Sequence, residues 1–77
     1  MELKKVVVDS ISKILKIAPE DIKEEYSIRQ DLGADSLDMV EIMMEVEKTL
    51  NITIDDEGYI EIDSVRDMIT ALDKIVN

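Results

Sequence analysis

Apolar residues recur at helical spacing in three stretches of this chain. Leu3, Val7, Ile11, Ile14 and Leu15, with Val6 and Val8 beside them, predict a first helix of about 14 residues. Ala18-Pro19 closes it, because the residue before proline avoids helical backbone. Residues 36–50 read as a second helix. A last helix opens at Ser64, where Asp67 three residues on resembles a capping box, and Val65, Met68, Ile69, Leu72, Ile75 and Val76 keep its period. Residues 18–35 form a long connection pinned by Ile22, Tyr26, Ile28 and Leu32, and a loop of that length in a small domain is usually functional. Gly33 marks a turn that needs backbone freedom. Ile52-Thr53-Ile54 alternates like a strand, yet a lone short strand has nothing to pair with. A brief helical turn over 56–61, weakened by Gly58, fits that region better. The expected fold is all-α: a small bundle of three main helices plus one short helix, forming a single domain over residues 1–77.

The second helix has two apolar faces. On a wheel of 100° per residue, Met39, Ile42, Met43, Val46 and Leu50 share one sector, the width of an ordinary core stripe. Leu37, Val40 and Met44 form a narrower stripe on nearly the opposite side, bordered by Glu41, Glu45, Glu47 and Lys48. A three-helix core needs one face only. The second stripe is either covered by the long loop or exposed as an acid-rimmed apolar strip suited to a surface rich in Lys and Arg.

Charge sharpens this picture. The 77 residues hold 19 acids and 9 bases, a formal net charge of −10. Residues 31–61 alone hold ten acids and one base, Lys48. So acidic a chain is a poor ligand for nucleic acid or anionic membrane, which are themselves polyanions. There is no Cys and no His, hence no thiol nucleophile, no imidazole base and no thiolate zinc site. A self-contained hydrolase would have carboxylates alone to work with. The basic start Met1-Glu2-Leu3-Lys4-Lys5 leads into three valines, but Asp9 ends the run before it reads as a signal peptide. No apolar run approaches the roughly 20 residues that span a bilayer. The expected location is the cytoplasm or an organelle matrix. The expected state is a monomer, because the second stripe is short and rimmed by like charges. A calcium loop would put Thr53 at its first position and Ser64 at its twelfth, where Asp and Glu are needed, so no metal site is expected.

Ser36 stands in Asp31-Leu32-Gly33-Ala34-Asp35-Ser36-Leu37-Asp38. Asp35 as N-cap puts Ser36 at the first helical position, where exposed N–H groups favour an attached phosphate. Flanked by Asp35 and Asp38, with no His to activate it, Ser36 is a poor nucleophile. It is either a plain helix cap or the acceptor of a phospho group delivered by another enzyme.

Residues 31–38 resemble the phosphopantetheine attachment motif of acyl carrier proteins. The resemblance runs along nearly the whole chain: Val40-Glu41-Ile42 and Met44 through Leu50 are similar to the family's acidic recognition helix, Ile54-Asp55-Asp56-Glu57 to its Ile-Pro-Asp-Glu, and Ile62 and Val65 to the start of its last helix. What it implies is a carrier, not an enzyme. A phosphopantetheinyl transferase would move 4′-phosphopantetheine from coenzyme A onto the Ser36 hydroxyl, and the terminal thiol would then carry acyl groups as thioesters for fatty-acid or related lipid or polyketide synthesis. By position, docking to partners' basic patches falls to Asp35, Leu37, Asp38, Val40, Glu41, Met44 and Glu47. The acyl cavity falls to Ile28, Met39, Met43, Val46, Ile62 and Met68. The chain departs from the pattern at Ile28 and Leu50, where the family often has Phe, at Lys48, where it is often acidic, at Asp55, where it commonly has Pro, and at Gly58-Tyr59. Three methionines at cavity positions imply a small or reshaped cavity and a short or unusual cargo. Peptidyl carriers more often show Gly-Gly-His-Ser before the serine. An unmodified structural subunit, in which Ser36 only caps, is the remaining alternative.

Overall fold

A computed structural model describes residues 2–54 and 62–76. Three α-helices carry the described chain: α1, Leu3–Leu15; α2, Ser36–Leu50; and α3, Val65–Val76. Among the described residues there is no strand, only an isolated antiparallel bridge between Ser27 and Ser64. The short helix expected over 56–61 lies outside the described residues.

α1 ends before the proline does its work. Lys16 adopts a left-handed conformation (φ 59°, ψ 44°), and its N–H donates to the Ser12 carbonyl. Pro19 instead opens a single 3₁₀ turn, Pro19–Asp21, at the position where its missing N–H costs nothing. α2 matches its expected span and closes in the same manner as α1. Asn51 is left-handed (φ 56°), and the N–H groups of Asn51 and Ile52 both reach the Glu47 carbonyl. α3 opens with the capping box expected from Ser64 and Asp67. The Asp67 N–H donates to Ser64 Oγ at 3.0 Å, and the Ser64 N–H donates to Asp67 Oδ2 at 3.0 Å. Asp67 also accepts from the Asp63 N–H at 3.2 Å. The Ser64 and Asp63 backbone bonds, in that order, hold its carboxyl below the ordinary aspartate range.

α1 is the central element and packs against both α2 and α3. It contributes Val6, Val7, Val8 and Ile11 to the core, α2 contributes Met39, Ile42, Met43 and Val46, and α3 contributes Val65, Met68 and Leu72. Burying each such side chain is worth about 1.5–3 kcal/mol, so this single cluster supplies the main driving force of a chain with a large self-repelling charge. Ile22, Ile28 and Ala34 enter the core from the long loop. Buried Ser10 returns its hydroxyl to the Val6 carbonyl at 2.8 Å, which leaves no unpaired polar atom on that face.

The loop is tied down as well as packed down. Ile28 N–H donates to the Asp63 carbonyl at 2.8 Å, Val65 N–H to Tyr26 at 3.0 Å, and Arg66 N–H to Glu24 at 2.9 Å. Residues 24–28 therefore run antiparallel to residues 63–66. Ser27 Oγ adds a bond to Asp63 Oδ1 at 2.9 Å, and Glu24 lies within ion-pair distance of both Lys4 (3.2 Å) and Arg66 (3.8 Å).

Candidate functional site

The chain reaches Ser36 through a short series of fixed points. The Ser27 hydroxyl accepts from the Gln30 N–H at 3.1 Å, and Asp31 Oδ2 accepts from the Ser27 N–H at 2.7 Å, which winds residues 27–31 into a turn. Ala34, buried, donates its N–H to the Ile28 carbonyl at 3.0 Å. Gly33, at φ +78°, makes the reversal between them, and it has open space where a Cβ would stand. Conformation, and not crowding, is what asks for glycine there. Asp35 then caps α2. Its Oδ1 accepts from the Asp38 N–H at 2.8 Å, and Asp38 Oδ2 accepts from the Asp35 N–H at 3.2 Å.

This places Ser36 at the first position of α2, with its side chain exposed. The hydroxyl has no hydrogen-bond partner among the described residues, and neither do the N–H groups of Ser36 and Leu37. Both donors belong to the first turn, where no intrahelical acceptor exists and the helix dipole favours negative charge. Asp35 and Asp38 flank the serine, but each directs a carboxylate oxygen to the other's backbone. Among the described residues, no other base stands beside the hydroxyl. The arrangement activates nothing; it presents a hydroxyl and two free donors to whatever arrives from solvent. A phosphodiester linked through Ser36 Oγ fits these donors.

The second apolar stripe of α2 is uncovered. Leu37 is 65% exposed, Met44 59% and Val40 43%, so the loop does not lie over them. Glu41 is exposed beside them, while Glu47 is half-buried and its Oε2 accepts from the Ile54 N–H at 2.7 Å. The six residues assigned to an acyl cavity, Ile28, Met39, Met43, Val46, Ile62 and Met68, all lie in the one core cluster and are nearly or wholly buried.

The sequence pattern of the phosphopantetheine attachment site matches residues 5–72. An acyl carrier protein of Wolinella succinogenes is 42% identical over 72 residues, covering 94% of this chain and 90% of the relative. One from Porphyromonas gingivalis is 41% identical over 73 residues, covering 95% and 94%. The chain belongs to the acyl carrier protein family. A further acyl carrier protein, from Campylobacter hominis, is 36% identical over 75 residues, 97% of this chain and 95% of its own length. Membership makes this chain a carrier and not a catalyst, with 4′-phosphopantetheine as its prosthetic group. A phosphopantetheinyl transferase and acyl-processing biosynthetic enzymes are its partners in general terms. As in any acyl carrier protein, the chemistry comes from the arm, which supplies the thiol that this Cys-free chain lacks.

Several residues that build the site escaped the sequence reading. Ser27 and Gln30 have the spacing of a capping box, a signal that was present and unused. Asp63 holds the Ser27 hydroxyl from 36 positions away, and Lys13 of α1 pairs with Glu45 of α2 at 3.3 Å, contacts that no local pattern announces. Among the described residues, no group of three or more acids is arranged to hold a metal ion, and no helix is long and apolar enough to cross a membrane.

Proposed function

We propose that Ser36 is the attachment point of 4′-phosphopantetheine and that this chain shuttles acyl thioesters among fatty-acid synthesis enzymes in the cytoplasm. The observation that supports this reading is the exposed, unbonded Ser36 hydroxyl at the start of α2, beside two backbone donors without acceptors. In this reading the transferase and the acyl-processing enzymes set basic patches against Asp35, Leu37, Asp38, Val40, Glu41, Met44 and Glu47. The exposure of Leu37, Val40 and Met44 supports it, because a short apolar strip in an acidic rim suits a basic surface with an apolar centre. Repulsion between like-charged copies keeps the carrier monomeric.

The cargo folds back among Ile28, Met39, Met43, Val46, Ile62 and Met68. These side chains are nearly or wholly buried in one core cluster, and the methionines among them have adaptable shapes. They restrict the cargo to short or unusual chains.

Intact mass before and after incubation with coenzyme A and a broad-specificity phosphopantetheinyl transferase tests the central claim. The expected result is a gain of one phosphopantetheine in the parent chain and none in Ser36→Ala. Because the Ser36 side chain holds nothing in place, that variant should unfold at the parent's temperature. A modified Ser36→Ala chain would overturn the assignment.

A further inference from the structure

The acids of α2 are not equivalent, and the structure separates them by what they already hold. Toward the N-terminal end, Asp35, Asp38 and Glu41 have no ion pair among the described residues. Toward the C-terminal end, Glu45 is paired with Lys13 at 3.3 Å, and Glu47 is taken up by the Ile54 N–H at 2.7 Å. Among the described residues, what remains without an ion pair there is Lys48. It lies seven residues beyond Glu41, two turns on and about 10 Å along the same face. Lys48 is exposed and has no ion pair among the described residues. Together with Ile14, Glu41, Met44 and Glu45 it lines a groove of about 370 Å³ between α1 and α2. The free charge along the exposed stripe therefore changes sign, negative beside Ser36 and positive at the far end.

We propose that Lys48 is a specificity-determining contact of this carrier, and that its enzymes place a carboxylate opposite Lys48, two turns beyond the basic residues that face Asp38 and Glu41. The inference rests on the docking reading of α2 given above. The net charge of −10 draws any basic surface from a distance. It does not fix where that surface settles. At physiological salt the screening length is about 8 Å, shorter than the separation of Glu41 from Lys48, so the two ends are read as separate contacts. A partner whose basic patch continues along the whole helix meets a like charge at Lys48 and is disfavoured, whereas a partner of alternating sign docks in one register only.

The test is calorimetric binding of the chain to the phosphopantetheinyl transferase of its own host, in parent, Lys48→Glu and Lys48→Arg forms. Reversing one exposed charge pair should raise the Kd about fivefold in Lys48→Glu, with Lys48→Arg within about twofold of the parent. Lysine in place of the facing acid on the transferase should restore tight binding to Lys48→Glu. Lys48 also lies in the last turn of α2, where a cation suits the helix dipole. A purely structural role of that kind would lower the unfolding temperature of Lys48→Glu and leave its Kd unchanged, which would overturn the proposal. Tighter binding by Lys48→Glu would overturn it equally. Failure of the Ser36 assignment shows separately, as transferase binding without any gain of mass.

Discussion

Replacing Glu47 tests whether this acid serves partners or the fold. Its carboxylate accepts the Ile54 N–H at 2.7 Å, at the short end of the range for a charged acceptor. Ile54 is 6% exposed, so water has little access to that N–H once the carboxylate is gone. Leaving a buried donor unpaired costs about 1–3 kcal/mol, and the half-buried position of Glu47 argues for the lower part of that range. Removing one negative charge from a chain of net −10 returns a few tenths of a kcal/mol through reduced self-repulsion. Glu47→Ala should therefore lose about 1–2 kcal/mol. For a domain of this size that lowers the unfolding midpoint by about 4–8 °C per kcal/mol. Glu47→Gln keeps a carbonyl acceptor while discarding the charge, and should lose less than half as much. Urea unfolding followed by circular dichroism gives both numbers in one experiment. If Glu47→Ala were as stable as the parent, or if the two variants fell equally, the bond to Ile54 would contribute nothing and Glu47 would be an ordinary surface acid.

Two more expectations follow from the geometry. The Asp67 carboxyl is held below the ordinary aspartate range, so its folded form binds its proton more weakly than the unfolded chain does. The stability it confers is present above that ordinary range and is lost as pH falls through the folded value. Asp67→Asn should flatten the acid limb of a stability-against-pH curve, and an unchanged limb would refute the role of the cap. A long saturated acyl thioester on this carrier should hydrolyse faster than the same thioester on a carrier with smaller cavity side chains. Equal protection would show that Met39, Met43 and Met68 leave room for the full chain.

The helices were legible because each carries its own signal. α2 shows this best: Asp35 announces its start, and of the wheel's core stripe Met39, Ile42, Met43 and Val46 are buried while Leu50 packs half-buried at its end. The capping box of α3 was equally local. The end of α1 was harder to read, because Lys16 in a left-handed conformation carries none of the signal that Gly or Asn gives. The choice between a covered and an uncovered second stripe was open in the sequence, since the path of the loop decides it. That path depends on pairings between residues 24–28 and 63–66, which are set by the whole fold. The same limit applies to Glu47. Its position on the wheel marks it as a surface acid, and only the return of the chain at Ile54 gives it an internal partner. Ser36 was legible both as a position and in its exposed helix-start donors, because Asp35 as N-cap fixes where α2 begins.

The pairing of the long loop with the start of α3 also bears on how the protein comes into being. Ser27 and Asp63 are 36 residues apart, so this contact closes a long loop, which the local bonds within α2 do not require. α2 packs against α1, which precedes it in the chain, whereas the path that leads to Ser36 is held only after residues 63–66 have been made. Ser36 thus reaches its final setting only after residues 63–66 have been made and have paired with the loop.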